Sequence, residues 1–210
     1  MARSQARRPS VTNSPDASEL LVMELQQIHS AESQLSRALP RLGKAAQSQA
    51  LRDMLDERLE EAERILKEVE FALEELDESP GRRKNVAAEG LIGDAREHVQ
   101  EITHGPALDA VLIAGIQKTE HYCIAAWGTA RSLAQAVDES TTVQAMDRAL
   151  KVGGPFDEKL TALAEKEITP VLLSEESGEK ESEDDETEAT SGDGSSRRGG
   201  SRRSEHRAGR

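Results

Sequence analysis

The sequence predicts an all-α protein, an antiparallel four-helix bundle with one shorter helix in its crossover connection. Helix-forming residues such as Ala, Leu, Glu and Arg dominate the middle of the chain, and aromatic residues make up only 2% of it. Apolar residues recur at intervals of three and four along four long stretches, which is the spacing of one helix face. Short, turn-forming segments separate these stretches, and short connections favour antiparallel neighbours.

The first predicted helix follows a basic, polar arm. Residues 1–17 contain almost nothing apolar to bury, and we expect them to be disordered. Ser18 is the predicted N-cap, and the helix should run to about Leu39. Pro40 is expected to bend the helix, and the apolar pattern then continues to about Ala46. The inward stripe of this helix consists of Leu21, Leu25, Ile28, Glu32, Leu35 and Leu39.

The second predicted helix spans about residues 50–76 and carries an arginine, Arg58, on its inward stripe. Glu61 flanks the same face, whereas most other glutamates of this helix are expected to form a solvated surface. Residues 77–85 are turn-forming, and a shorter helix is predicted over about residues 86–102. The apolar positions of that shorter helix include Val86, Ile92, Val99 and Ile102.

The longest predicted helix covers about residues 107–137 and carries Glu120 on its apolar stripe. A buried carboxylate is costly unless a cation, a proton or a hydrogen-bond donor compensates it. The last predicted helix begins near Thr141 and carries Asp157 on its inward face. Its Gly-Gly-Pro segment, residues 153–155, is expected to break or bend it.

These patterns define one folded domain over residues 18–173, between the arm and a disordered tail over residues 174–210. The tail is strongly acidic as far as Glu188 and then contains six arginines. Such a tail is expected to be solvated, to fold back on segments of opposite charge, or to offer its arginines to nucleic acid.

The composition also limits where the protein works and what it binds. A net charge of −13 argues against a folded domain that grips phosphate backbones, so nucleic-acid binding is left to the arginine-rich ends. No apolar run reaches the roughly 18 to 20 residues that span a bilayer, and no signal-peptide pattern follows the N-terminus. We therefore expect a cytoplasmic protein without a membrane partner. The single cysteine, Cys123, fits a reducing compartment.

Carboxylates at similar heights on facing helices predict the functional centre. Glu32, Glu120 and Asp157 lie on three of the four inward stripes, and the fourth stripe carries Arg58 with Glu61 beside it. A di-metal carboxylate site needs hard oxygen ligands on facing helices. In the alternative arrangement, Arg58 sits among the glutamates and neutralises them through bidentate hydrogen bonds. No pattern for nucleophilic catalysis occurs, and we assign no catalytic residue.

Eight short segments carry a resemblance to a known family. They are ELLVMEL (19–25), AESQL (31–35), RALPR (37–41), LEEAE (59–63), EGLI (89–92), QKTEHY (117–122), GTAR (128–131) and DEKLT (157–161). Together they resemble the YciE/YciF family of the ferritin-like superfamily over about residues 19–168. The resemblance implies a ferritin-like four-helix bundle, usually a homodimer, with a stress-related role and a di-iron or similar centre.

The same resemblance places the metal ligands at Glu32, Glu61, Glu120 and Asp157, with iron or manganese as the metal. An enzyme of this kind would be at most a ferroxidase or a peroxide-handling oxidoreductase. The chain departs from the family pattern around that centre, where the family usually has acidic residues or histidine. The departures are at Ser30, Arg58, Cys123, Val152 and Gly153.

Three hypotheses of function follow. The first is a stress-associated, ferritin-like metalloprotein whose metal site is partly degenerate. The second is a non-catalytic structural or interaction bundle whose polar layer is held by Arg58. The third is a DNA-protecting protein that acts through its arginine-rich ends.

Overall fold

The computed structural model describes residues 14–102, 104–175 and 177. Within these residues the chain forms helices and no strands, which confirms the all-α prediction. The helices are α1 (Ala17–Ala45), α2 (Gln49–Glu75), α3 (Val86–Glu101), α4 (Pro106–Ala136), α5 (Ser140–Leu163) and a π-helical segment (Ala164–Ile168). All of them lie in a compact unit, Met1–Leu172; of the second unit, Leu173–Arg210, the described residues are 173–175 and 177.

The four long helices form an antiparallel bundle. Helix α1 packs against α2 and α4, and α5 packs against α4 and α2. Short turns join α1 to α2 and α4 to α5, so each pair is antiparallel. Helix α3 contacts α1 and α4 and carries the chain from the end of α2 to the start of α4. One long crossover of this kind is the connection found in ferritin-like bundles.

A buried carboxylate fixes the start of α4 against the turn between α1 and α2. Asp109 is 2% exposed. Its two oxygens accept hydrogen bonds of 2.7 Å from the backbone amides of Gln47 and Ser48. The beginning of α4 therefore lies at the end of α1, and these two helices are antiparallel.

Two apolar clusters fill the bundle, one toward each end. The first includes Leu39, Leu42, Leu55, Leu112 and Leu160. The second includes Leu21, Leu25, Ile65, Trp127 and Met146. On α1, α2 and α4, the residues that separate the two clusters are charged and buried, namely Glu32, Arg58 and Glu120. The bundle thus has a polar layer at mid-height.

Helix α1 begins earlier than the sequence analysis predicts. The N-cap is Asp16, and the prediction of Ser18 is wrong. The Asp16 carboxylate accepts from the Glu19 amide at 2.9 Å, and the Glu19 carboxylate accepts from the Asp16 amide at 3.0 Å. This reciprocal capping box satisfies two backbone donors at once, which Ser18 cannot do. Pro40 lies inside the helix, which continues to Ala45.

Two features of α3 and α5 depend on packing: the exposure of one apolar residue, and the absence of the break that was one of the two outcomes expected at the Gly-Gly-Pro segment. Val86 is 77% exposed, because it is the first residue of α3 and the inward face is formed by Ala88, Ile92 and Ala95. Helix α5 runs through the Gly-Gly-Pro segment without a break. Gly153 and Phe156 are both buried there, so packing on either side of Pro155 outweighs its low helix propensity.

Most of the residues that are predicted to be disordered lie outside the part of the chain that the structure describes. Residues 1–13 of the arm, and the tail from residue 178 onward, lie outside the described residues. Among the helices that the structure describes, none is long and apolar enough to cross a membrane.

Candidate functional site

Arg58 lies at the centre of the bundle and connects the inward glutamates of two other helices. Its Nη1 and Nη2 donate to the two carboxylate oxygens of Glu32, each at 3.1 Å. Its Nε donates to Oε2 of Glu120 at 2.7 Å. The exposed fractions of these three residues are 2% for Arg58, 0% for Glu32 and 1% for Glu120. The ion pairs are therefore shielded from water, and the bidentate pair to Glu32 has the geometry that guanidinium and carboxylate groups favour.

The charges in this centre do not cancel, because two carboxylates share one guanidinium. Burial lowers the pKa of Arg58, but the nearby charges of Glu32 and Glu120 outweigh it and hold that pKa well above its ordinary value. Burial raises the pKa of Glu120 above 4.5, although the Arg58 charge opposes the shift. The second oxygen of Glu120, Oε1, is buried and accepts no hydrogen bond from the residues that the structure describes.

Trp127 covers the Arg58 guanidinium. The Cζ atom of Arg58 lies 5.7 Å from the centroid of the indole ring, within the range of a cation–π contact. Gly153 on α5 leaves the space that the indole occupies. A Cβ atom added at Gly153 would lie 2.6 Å from Cζ3 of Trp127 and 2.9 Å from Oε1 of Glu120. A side chain at this position therefore requires the indole and the Glu120 carboxylate to move.

Cys123 packs beside the centre as a buried thiol. Burial raises its pKa well above the ordinary value, and the charge of Glu32 raises it further. A thiol in these surroundings stays protonated and is a poor nucleophile.

The other two predicted ligands are engaged elsewhere. Glu61 forms a two-point ion pair with Arg64, one turn later on the same helix; its Oε2 accepts from Nε of Arg64 at 3.1 Å. Asp157 accepts from the Gln117 amide at 3.2 Å and lies 3.3 Å from Nε2 of His121. The structure thus brings Glu32 and Glu120 together around Arg58, and it directs Glu61 and Asp157 toward partners of their own.

A small cavity adjoins the centre between α2 and α5. It has a volume of about 130 Å³. Glu120 is one of its lining residues, and so are Lys159 and Glu57, which form an exposed ion pair of 3.8 Å. The complete lining consists of Glu57, Arg58, Glu61, Glu120, Val152, Pro155, Phe156 and Lys159.

The residues present do not fit a dinuclear metal centre. The Arg58 guanidinium occupies the space between Glu32 and Glu120, where bridging ions would have to lie. Across the described part of the chain, no group of three or more His, Cys, Asp and Glu side chains is placed to hold a metal ion. The clearance at Gly153 leaves no room for an added ligand either. Metal binding by the four predicted residues stays a prediction, which metal analysis must decide.

Sequence reasoning missed one structural residue beside the site. Asn85 is 1% exposed and caps α3, its Oδ1 accepting from the Ala88 amide at 3.0 Å. Its Nδ2 donates to the backbone of Gln27 at 3.1 Å and to the Tyr122 hydroxyl. An asparagine directly before an apolar helical stretch is a recognisable N-cap signal, so the cap could have been predicted. Its contacts to α1 and α4 could not.

Comparison with known proteins identifies the relatives of this chain. Residues 16–172 match the family described as a domain of unknown function, DUF892. Protein YciF from Escherichia coli strain K12 is 34% identical over 147 residues, which cover 70% of this chain and 89% of YciF.

Solved structures of two relatives have the same fold. The crystal structure of the E. coli stress protein YciF has a TM-score of 0.69 at 33% identity, covering 72% of this chain and 96% of that one. YcfI from Rhodopseudomonas palustris, a protein thought to be structural, has a TM-score of 0.67 at 29% identity, covering 70% and 94%. These matches confirm the resemblance to the YciE/YciF family on which the sequence analysis relied. The chain belongs to the DUF892 family and is similar to YciF over most of its length.

Proposed function

We propose that this protein is a non-catalytic helical bundle of the stress response, a structural or interaction protein whose centre is held by Arg58 instead of metal ions. The observation that carries the proposal is the placement of one buried guanidinium between Glu32 and Glu120, with three donated hydrogen bonds. Both carboxylates that face each other across the bundle are thereby engaged.

Charge balance supports this proposal. A dinuclear centre carries four or more positive charges, which need several carboxylates at the ions. The buried centre has two carboxylates, and Arg58 already neutralises one of their charges. Because the guanidinium keeps its charge at any physiological pH, it can hold the centre together without a bound ion.

The relatives point to the same class of function. The E. coli relative is a stress protein, and the R. palustris relative is thought to be structural. We extend these roles to this chain as part of the proposal, together with a cytoplasmic location and a homodimeric state. Light scattering at micromolar concentration tests the homodimeric state, and a strictly monomeric protein would contradict it.

Metal analysis of the purified protein tests the main proposal. Cells grown with added iron and manganese should yield protein with less than one equivalent of either metal per chain. The matched variant combines Arg58→His, Gly153→Glu and Trp127→Ala, which restores ligands and clears the indole from the added side chain. This variant should bind more metal than the wild type. Two ions that survive dialysis of the wild-type protein against chelator would overturn the proposal.

A ferritin-like metalloprotein is the second candidate, because Glu32 and Glu120 do face each other on α1 and α4. If metal displaces the Arg58 side chain, the iron- or manganese-dependent oxidase function becomes the better description. Protection of DNA through the arginine-rich ends is a third candidate, although residues 197–210 lie outside the described part of the chain. Retention on DNA that weakens steeply with salt would support it.

A further inference from the structure

A groove between α1 and α3 carries an excess of positive charge and shares no lining residue with the Arg58 centre. Its cavity has a volume of about 230 Å³ and is lined by Gln34, Arg37, Lys84, Glu89, Ile92 and Arg96. Three cations and one carboxylate thus meet there, in a protein whose net charge is −13. The cations come from three separate segments, namely α1, the loop before α3, and α3 itself.

Among the described residues, carboxylates neutralise only one of these cations. Lys84 forms an ion pair with Glu89. No carboxylate among the described residues pairs with Arg37 or Arg96, and both side chains are exposed. Two unpaired guanidinium groups at one concave surface raise the local positive potential and attract an anion.

Two hydrogen bonds attach the loop that contains Lys84 to α1. The Asn85 amide donates to the Ser30 hydroxyl at 2.9 Å, and the Gln34 side chain donates to the Asn85 carbonyl at 3.0 Å. Helix α3 begins directly after this loop and contains 16 residues. Glu89 in its first turn lines the cavity, together with Arg96 two turns later on the same helix.

We propose that this groove binds a small phosphate-type oxyanion, either inorganic phosphate or the phosphate group of a small monoester. The planar guanidinium groups of Arg37 and Arg96 match the oxygen spacing of phosphate and bind it bidentately. Lys84 supplies a further charge. The cavity is smaller than the roughly 300–1,000 Å³ of sites for drug-sized ligands, which favours a small anion over a nucleotide.

Titration of the full-length protein with sodium phosphate tests the proposal. The ionic strength is kept constant with sodium chloride, and binding is followed by calorimetry and by the NMR shifts of the first amides of α3. One phosphate should bind per chain in a saturable manner. Arg37→Lys and Arg96→Lys keep the positive charge but lose the planar guanidinium group that binds phosphate bidentately. Each should weaken binding about tenfold. Glu89→Gln should strengthen it, because it removes the competing carboxylate.

The control variant is Arg148→Lys, which changes an exposed arginine that pairs with Glu68 and does not line this groove. Its phosphate affinity should equal that of the wild type. Thermal melts verify that each variant is folded. Absence of saturable binding at millimolar phosphate would overturn the proposal, and so would unchanged affinity in both lysine variants. Methyl phosphate and a short DNA duplex form two further arms, and binding of the duplex alone would overturn the small-anion site.

Discussion

Arg58 shows how a single side chain can decide the chemistry of a bundle. Its position on the inward stripe is predictable from the spacing of apolar residues on α2. Its pairing with the inward glutamates is one of the two arrangements that the sequence analysis offers, but the exclusion of Glu61 from that pairing is not predictable, because Glu61 is a carboxylate on the same face of the same helix. In the structure, Glu61 pairs with Arg64, three residues later on α2. Arg58 pairs with Glu32 and Glu120, which lie on other helices. Pairing of this kind depends on rotamers and helix packing, which the sequence pattern does not contain.

Removal of the Arg58 charge should be strongly destabilising. Arg58→Ala is expected to lower the free energy of unfolding by about 3–5 kcal/mol, because two carboxylates then stay buried without a counter-charge. The exposed pair of Arg148 and Glu68 offers a control, since Arg148→Ala should cost at most about 1 kcal/mol. Urea denaturation followed by circular dichroism measures both. Equal, small losses in the two variants would contradict the buried pairing.

The raised pKa of Glu120 predicts a dependence of stability on pH. Because burial raises this pKa above 4.5, the folded protein binds the proton more tightly than the unfolded chain does. The contribution of this group to stability is therefore greatest below pH 4.5 and falls as the pH rises toward the folded pKa. The stability of the wild type relative to Glu120→Gln should decline over this range in urea titrations. A difference that grows with pH would show that the Glu120 pKa is lowered instead.

Helix α5 shows where prediction at the scale of elements succeeds and where it fails. Its existence follows from the helical period of its apolar residues, and so do the stripes of α1, α2 and α4. The continuity through Pro155 does not follow from propensity, because it depends on a contact with another helix. Gly153 is packed against Trp127 of α4, and this close approach of two helices is visible only in three dimensions.

Substitution of the two neighbouring glycines of α5 should have opposite effects. Gly153→Ala is expected to destabilise the protein by about 1–3 kcal/mol, because the new methyl group meets the indole of Trp127 at 2.6 Å. Gly154→Ala meets nothing within 4 Å and should stabilise the helix by about 0.5–1 kcal/mol. Thermal melts of the two variants make the comparison. A stability change of the same sign in both variants would mean that the packing of Trp127 does not require a glycine at position 153.

At the scale of the whole molecule, the bundle is complete within the segment that the family match covers. The buried residues of its two clusters extend from Leu21 to Ile168. The fold class, the number of long helices and the crossover could all be predicted, because periodicity and short connections constrain them strongly. The groove at Arg37 and Arg96 could not, because its residues are exposed and are far apart in the sequence.

A chain that ends after Leu173 should therefore fold as the full chain does. Its melting temperature should change by no more than about 2 °C, because no buried residue of either cluster is lost. A chain that ends after Lys159 is the matched control, since it lacks Leu160, Leu163 and Ile168 of the core. It should melt at a clearly lower temperature. Loss of cooperative melting in the longer chain would show that residues beyond 173 contribute to the fold.

The Asp109 carboxylate has a consequence for how the bundle opens. The amides of Gln47 and Ser48 lie in a turn, where amide protons normally exchange quickly with solvent. Here both are bonded to a side chain more than 60 positions away, so they can exchange only when the Asp109 carboxylate releases them. Slow exchange of these two turn amides would therefore report how firmly the start of α4 is held against the α1–α2 turn.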